Sequence, residues 1–352
     1  MEIKLDNVVL DEINEYLMDE NITDLNWNGR ELWLDDLNRG RLLSDKKLSA
    51  RFVENFSIRL ANLMNLNFNK HNPLLEAETD DLRISIIHES VAKTGRSISI
   101  RKTPVVKRLN RRIMIESGFC PEEICNFMEN AIRAHCSTII CGLPSVGKTE
   151  YLKALSAYIP AHERVATIED NLEIHFKDIN PRNDCVELKI TESFPFEKAI
   201  ASCLRHNVKW TLLSEARGRE VVHLMNNLSN GTWCMTTLHA NNVRKIPDRI
   251  ANMVGEAYVH ERFINNIYAF LDIGVHINAS VRQDEEITRR IEQICVFSRE
   301  DNNNILSIIY EDGQLYPDKL TYEIRHRFEK NGIKDPFREG GWHETDQSGK
   351  RV

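Results

Sequence analysis

Apolar positions along this chain fall at two spacings, period two and the helical period, and the pattern changes partway along. Ile13 to Met18 predicts a short helix. In ITDLNWNGRELWLDD, apolar and polar positions alternate on either side of Asn28-Gly29, a dipeptide that favours tight hairpins. Phe52, Val53, Phe56, Leu60, Leu63 and Met64 recur at helical spacing and predict a helix over 49–66. After Pro73, LRISIIHES and RSISIRK read as alternating strands around a Lys93-Thr94-Gly95 turn. Together these elements make a small α/β domain over 1–101.

Farther on, short apolar runs alternate with helical segments. PEEICNFMENAIRAH has a proline in its first turn with acidic residues beside it, a helix start. STIIC is a buried strand, and Tyr151, Leu152, Leu155 and Ile159 give the next helix its apolar face before Pro160 stops it. RVATIED, CVELKI, WTLLSE, TWCMTTLHA and DIGVHIN are further strands. Strands alternating with helices predict a mostly parallel sheet covered on both faces. IEQICVFS and ILSIIYEDG read as a closing hairpin with a polar turn at Asp301 to Asn304. This second domain is expected over 115–316, and the charged remainder, 317–352, as a polar tail, with HETDQSGKRV disordered.

Composition narrows the class. A chain of 352 residues has room for two domains. With 46 basic and 53 acidic residues the net charge is −7, against a main partner of nucleic acid. No apolar run approaches a membrane span, and the acidic start is not expected to be a secretory signal. The eight cysteines lack zinc spacing and read as reduced core residues of a cytoplasmic protein. RKTPVVKRLNRR carries six basic residues and no acidic one, and places the interdomain linker at 102–114. Its charges are either solvated or turned toward phosphate.

The candidate chemistry begins at GLPSVGKT, which fits G-x-x-x-x-G-K-[ST] between a strand and an amphipathic helix. Glycines let main-chain N–H groups converge on phosphate, and the helix N-terminus adds its dipole. Lys148 can reach the β- and γ-phosphates of ATP, and the Thr149 hydroxyl can ligate Mg²⁺. The expected contact surface runs from Gly142 through Leu143, Pro144, Ser145, Val146, Gly147, Lys148 and Thr149 to Glu150. Beyond it, TIED ends a strand at Glu169 and Asp170, LLSEARGRE ends one at Glu215 with Arg217 following, and TTLHANN ends one at His239. At the carboxyl ends of parallel strands these groups would gather beside the phosphates. A carboxylate there can orient water or hold the metal's hydration shell, and a histidine or arginine can answer γ-phosphate charge.

In that order and spacing, the loop and the TIED, LLSEARG and TTLHAN boxes resemble the traffic ATPases of type II and type IV secretion and type IV pilus systems. The type IV secretion and tight-adherence pilus branch is the nearest, and the resemblance covers about residues 20–300. It implies a RecA-like P-loop ATPase domain behind a smaller N-terminal α/β domain. Further implications are a homohexameric ring, cytoplasmic and peripheral at the membrane, with inner-membrane platform proteins as partners. Carried over by residue, Lys148, Glu169, Glu215 and His239 are catalytic, and Thr149 and Glu215 serve the metal. Arg83, Arg101, Arg205 and Arg217 join the nucleotide site, the first two from the N-terminal domain.

The chain departs from the family pattern. Ser145 and Val146 stand for Gly and Ser in the loop, and Ser214 for the Gly before Glu215. In the arginine-rich box Asn207 replaces an arginine and Lys209 an aspartate. Gly231 replaces the first histidine of the histidine box, and Trp233 a glycine. These changes open a second reading, a ring subunit that binds nucleotide with little or no turnover. A third, a DNA translocase, would want basic channel residues and sits poorly with the charge balance.

Overall fold

The computed structural model describes residues 10–79, 81–255, 261–281 and 286–338. The chain divides into two compact units, one of residues up to 105 with 280–288, the other of 106–279 with 289 onward. The division falls inside the basic stretch that marks the linker. The return of 280–288 to the first unit has no signal in the apolar pattern.

The first unit is a six-stranded antiparallel sheet in the order β3-β2-β1-β6-β5-β4. Its strands are β1 (Ile22–Trp27), β2 (Leu32–Asp36), β3 (Gly40–Leu43), β4 (Leu74–Glu78), β5 (Leu82–Ile87) and β6 (Ser97–Lys102). The short edge strands β3 and β4 go beyond the predicted pairs; β4 alternates Glu with apolar residues and β3 is only four residues long. One face carries Leu25, Trp27, Leu34, Ile84, Ile86, Ile98 and Ile100 into a core shared with Val53, Phe56 and Leu60 of the helix Ala50–Leu63. Ser49 caps that helix by accepting the Phe52 N–H at 3.0 Å. Polar pairs hold other positions of the sheet: Arg101 to Asp24 at 2.7 Å and Asn26 to Asp35 at 2.9 Å. Arg83 is the register partner of Arg101.

In the second unit nine strands follow the order β15-β14-β13-β12-β7-β11-β10-β8-β9. β7 (Thr138–Cys141), β8 (Val165–Glu169), β9 (Cys185–Lys189), β10 (Trp210–Leu213), β11 (Trp233–Leu238) and β12 (Ile273–Val281) form the parallel part, as predicted. β13 (Ile287–Glu300) and β14 (Asn303–Glu311) form the closing hairpin, turning through left-handed Asp301 and Asn302, with β15 (Gln314–Leu315) beyond. β7 and β10 are buried along their whole length because helices cover both faces. Glu122–Arg133, Lys148–Ser156 and Tyr322–Lys330 pack on one side, and Phe196–Cys203, Glu220–Ser229 and Ile246–Val254 on the other. All eight cysteines are free and seven are buried.

The polar tail expected from 317 needs correction as far as 338. Tyr322–Lys330 is a helix, and Ile324, Phe328, Ile333 and Phe337 enter the core. Phe127 stacks on Phe337 with ring centroids 5.1 Å apart. Buried Asn126 and Asn130 donate to the carbonyls of Phe337 and Pro336 at 3.1 and 3.0 Å. These amides satisfy a non-repetitive main chain that burial would otherwise leave unpaired. The HETDQSGKRV segment expected to be disordered lies outside the described residues.

Candidate functional site

The phosphate loop leaves β7 and enters the helix Lys148–Ser156. Gly142 has no room for a side chain, since a Cβ would stand 2.5 Å from the Ile277 carbonyl oxygen of neighbouring β12. Gly147 precedes the helix at φ 91°, left-handed backbone that glycine enters without penalty. Ser145 has φ 64°. For a residue with a Cβ that conformation costs about 1–2 kcal/mol, so the substitution for glycine is felt here in the backbone. Leu143, Pro144 and Ser145 are exposed, whereas Val146 turns inward to the core.

Lys148 folds back over the loop. Its Nζ donates to the Gly142 and Leu143 carbonyls at 3.1 and 2.9 Å and lies 3.3 Å from His239 Nδ1. His239 Nε2 is 2.8 Å from Glu215 Oε1. His239 Nδ1 also lies 3.3 Å from the Gly142 carbonyl oxygen, so the ring bridges Glu215 and the loop. The other Glu215 oxygen meets Arg217 Nη2 at 2.9 Å, and Arg217 Nη1 reaches Asp170 at 2.7 Å. The result is one chain of alternating groups, Lys148–His239–Glu215–Arg217–Asp170. Its members come from the loop and the carboxyl ends of β11, β10 and β8. Burial lowers the affinity of Lys148 for its proton, and the Glu215 charge opposes that drop. Glu220 accepts the N–H groups of Arg217 and Gly218 at 2.6 and 2.7 Å, fixing the turn that presents Arg217.

The two acids of TIED divide. Asp170 joins the chain, while Glu169 is fully buried. One Glu169 oxygen accepts the Glu173 and Ile174 N–H groups at 2.9 and 3.0 Å, and the other has no partner. Burial raises its carboxyl to about 8 in spite of those two bonds. One Glu169 oxygen therefore closes the 170–174 loop, and the TIED acid bonded into the chain is Asp170.

Arg205 also falls elsewhere. It lies in the turn leading into β10, at the amino ends of the parallel strands, opposite the phosphate loop. The expectation of a nucleotide contact within this site is corrected accordingly. Glu150 takes an ion pair from Lys153, one turn on, at 3.2 Å. Arg83 and Arg101 belong to the first unit and lie in its sheet. One residue at the loop carries no sequence signal: Arg289 of β13, whose Nε donates to the Ser145 carbonyl at 3.2 Å.

A phosphate loop on a central parallel strand, with acids, an imidazole and a guanidinium gathered from adjoining strand tails, defines a RecA-like P-loop ATPase domain. A model of the Type II/IV secretion system protein family matches residues 71–329, and the chain belongs to that family. An uncharacterized protein of Bacillus anthracis is 24% identical over 337 residues, 88% of this chain and 76% of its own length. The type IV secretion system protein VirB11 of Brucella suis is 30% identical over 168 residues, 44% of this chain and 46% of VirB11. The match thus spans less than half of that relative. Among solved structures, the ATPase DotB of Yersinia pseudotuberculosis has a TM-score of 0.64 at 16% identity, covering 84% of this chain and 81% of DotB. The pilus retraction motor PilT with bound ADP has a TM-score of 0.59 at 14% identity, covering 95% and 88%. Such distant likenesses bear on the fold alone.

Proposed function

We propose that ATP hydrolysis runs through the chain from Lys148 to Asp170, with Glu215 as the carboxylate that orients the attacking water. The observation carrying this reading is that both Glu215 oxygens are already held, one by His239 and one by Arg217. An anion fixed between two donors needs little reorganisation when charge moves in the transition state. Lys148 spends its hydrogen bonds on loop carbonyls, which an incoming γ-phosphate can replace. His239, touching both Lys148 and Glu215, is then the group through which phosphate contact reaches the water-orienting acid.

Mg²⁺ fits the donor set as a companion of the nucleotide. Among the described residues no group of three or more His, Cys, Asp or Glu side chains is gathered to hold a metal. The hard oxygens at hand are the Thr149 hydroxyl and the Glu215 and Asp170 carboxylates, which suits an ion bound mostly through phosphate and water. When bound it would neutralise phosphate charge. Arg83 and Arg101 are retained as candidate phosphate ligands on the strength of the family resemblance. A homohexameric ring at the cytoplasmic face of a secretion or pilus machine, on inner-membrane platform proteins, completes the reading. No described helix is long and apolar enough to cross a membrane, so attachment through the described residues would be peripheral.

A nucleotide-binding subunit without turnover is the competing reading, favoured by the strained Ser145. Phosphate release by the purified chain with ATP and Mg²⁺ separates the two. Turnover that Lys148→Ala reduces to background supports the motor. Wild-type release no faster than that of Lys148→Ala would leave only binding.

A further inference from the structure

Ser145 holds a left-handed turn without the freedom of glycine, and a side chain 144 positions away is bonded to it. Arg289 Nε donates to the Ser145 carbonyl at 3.2 Å. The Arg289 Cδ lies 3.8 Å from where a Cβ on Gly147 would stand, so the arm runs along the loop from 145 to 147. Between those positions Val146 points the other way, into the core, and its Cγ2 packs against Gly142. The loop is therefore pinned inward at Val146 and outward at Ser145. Arg289 is itself partly buried, and both burial and the neighbouring Arg108 charge disfavour its cation. A long cation kept in such a place at electrostatic cost has a bond worth keeping.

We infer that Arg289 is a positioning residue for the nucleotide, its bond to the Ser145 carbonyl holding the phosphate loop in the left-handed turn that preforms the amide cradle. The inference rests on the ATPase reading of that loop. Arg289 acts through residue 145 and does not touch phosphate, so its influence falls on affinity and depends on what occupies position 145. Glycine adopts positive φ as readily as negative. A glycine loop would need the brace much less, and Ser145 and Arg289 form a matched pair.

The test is a double-mutant cycle in the full chain: Arg289→Ala, Ser145→Gly and the double variant, with Arg289→Lys as the conservative change. ATP affinity is read by calorimetry, kcat and KM by phosphate release, and folding by thermal unfolding. Arg289→Ala should raise Kd and KM about ten-fold, the lower end for a hydrogen bond from a charged group, with kcat little altered. Lysine should recover most of the loss, and in the Ser145→Gly background the same alanine should cost about two-fold or less. An unchanged Kd in Arg289→Ala would overturn the inference. So would an equal cost in both backgrounds, which would mean that the arginine meets the nucleotide directly. Should the alanine variant not fold, Arg289→Gln and Arg289→Lys carry the same cycle. Failure of the ATPase reading has a separate signature, a wild-type chain that binds no ATP.

Discussion

The two ends of the parallel sheet use the same kinds of side chain for opposite purposes. At the carboxyl ends, Lys148, His239, Glu215, Arg217 and Asp170 form an open chain, with Arg217 58% and His239 38% exposed. At the amino ends, His135, Glu163, Asp272 and Arg327 are drawn into packing. His135 stacks on Trp233 with centroids 3.9 Å apart, and Glu163 binds His135 Nε2 at 2.7 Å and Trp210 Nε1 at 2.8 Å. Asp272 is buried, accepts the Ser137 N–H at 2.7 Å and pairs with Arg327 of the helix Tyr322–Lys330. Residue type does not separate a working site from a structural clasp. Access does: one cluster can exchange its partners for a ligand, and the other is closed by indoles and a helix.

Breaking the closed end should therefore destabilise, and breaking the open end should slow. Arg327→Ala strands the buried Asp272 carboxylate. The expected loss is about 3–5 kcal/mol in denaturant unfolding, with turnover per folded molecule retained. Equal loss from an exposed substitution on the same helix would remove the clasp from the comparison. Glu215→Gln should reduce kcat roughly 10²–10³-fold, the scale of one preorganised electrostatic group, and leave ATP affinity and unfolding nearly unchanged. Loss of binding in parallel would make Glu215 a structural residue, like Asp272.

Glu169 sharpens the contrast from within one strand tail. Its folded carboxyl is raised to about 8 from an ordinary 4.5, by burial above all. A raised folded value means its contribution to stability is full below about 4.5 and is lost progressively until the pH has passed about 8. Glu169→Gln keeps an acceptor for the Glu173 and Ile174 N–H groups and cannot ionise. It should flatten the fall of stability between pH 6 and 8, by up to about 1.4 kcal/mol per pH unit, and change turnover little. Asp272, raised by burial to about 6, titrates at the lower edge of that window and is common to both proteins, so it cancels in their difference. Slowing by Glu169→Gln to the extent of Glu215→Gln would return Glu169 to the catalytic cluster.

Much of this was legible in the residues. The phosphate loop is local, so eight consecutive positions state the turn, the helix start and the cation together. The strand tails were readable because parallel order brings their carboxyl ends to one edge. Arg205 falls outside the loop's own cluster, because membership of an arginine-rich box says nothing about which end of β10 a residue precedes. The helix Tyr322–Lys330 leaves little trace in the apolar pattern because Ile324 and Phe328 are its only buried residues, too sparse a stripe to outweigh its charge.

From its own pattern, then, the chain determined where strands and helices alternate, where the phosphate-loop turn lies and which strand tails carry polar groups, since these depend on near neighbours and a period. Tertiary structure alone decided that Asp170 and not Glu169 reaches Glu215's partner, that Asp272 is clasped by Arg327, and that Arg289 lies on Ser145. Each of those turns on which way a side chain faces, or on groups far apart in sequence meeting at a few ångströms, and packing settles both.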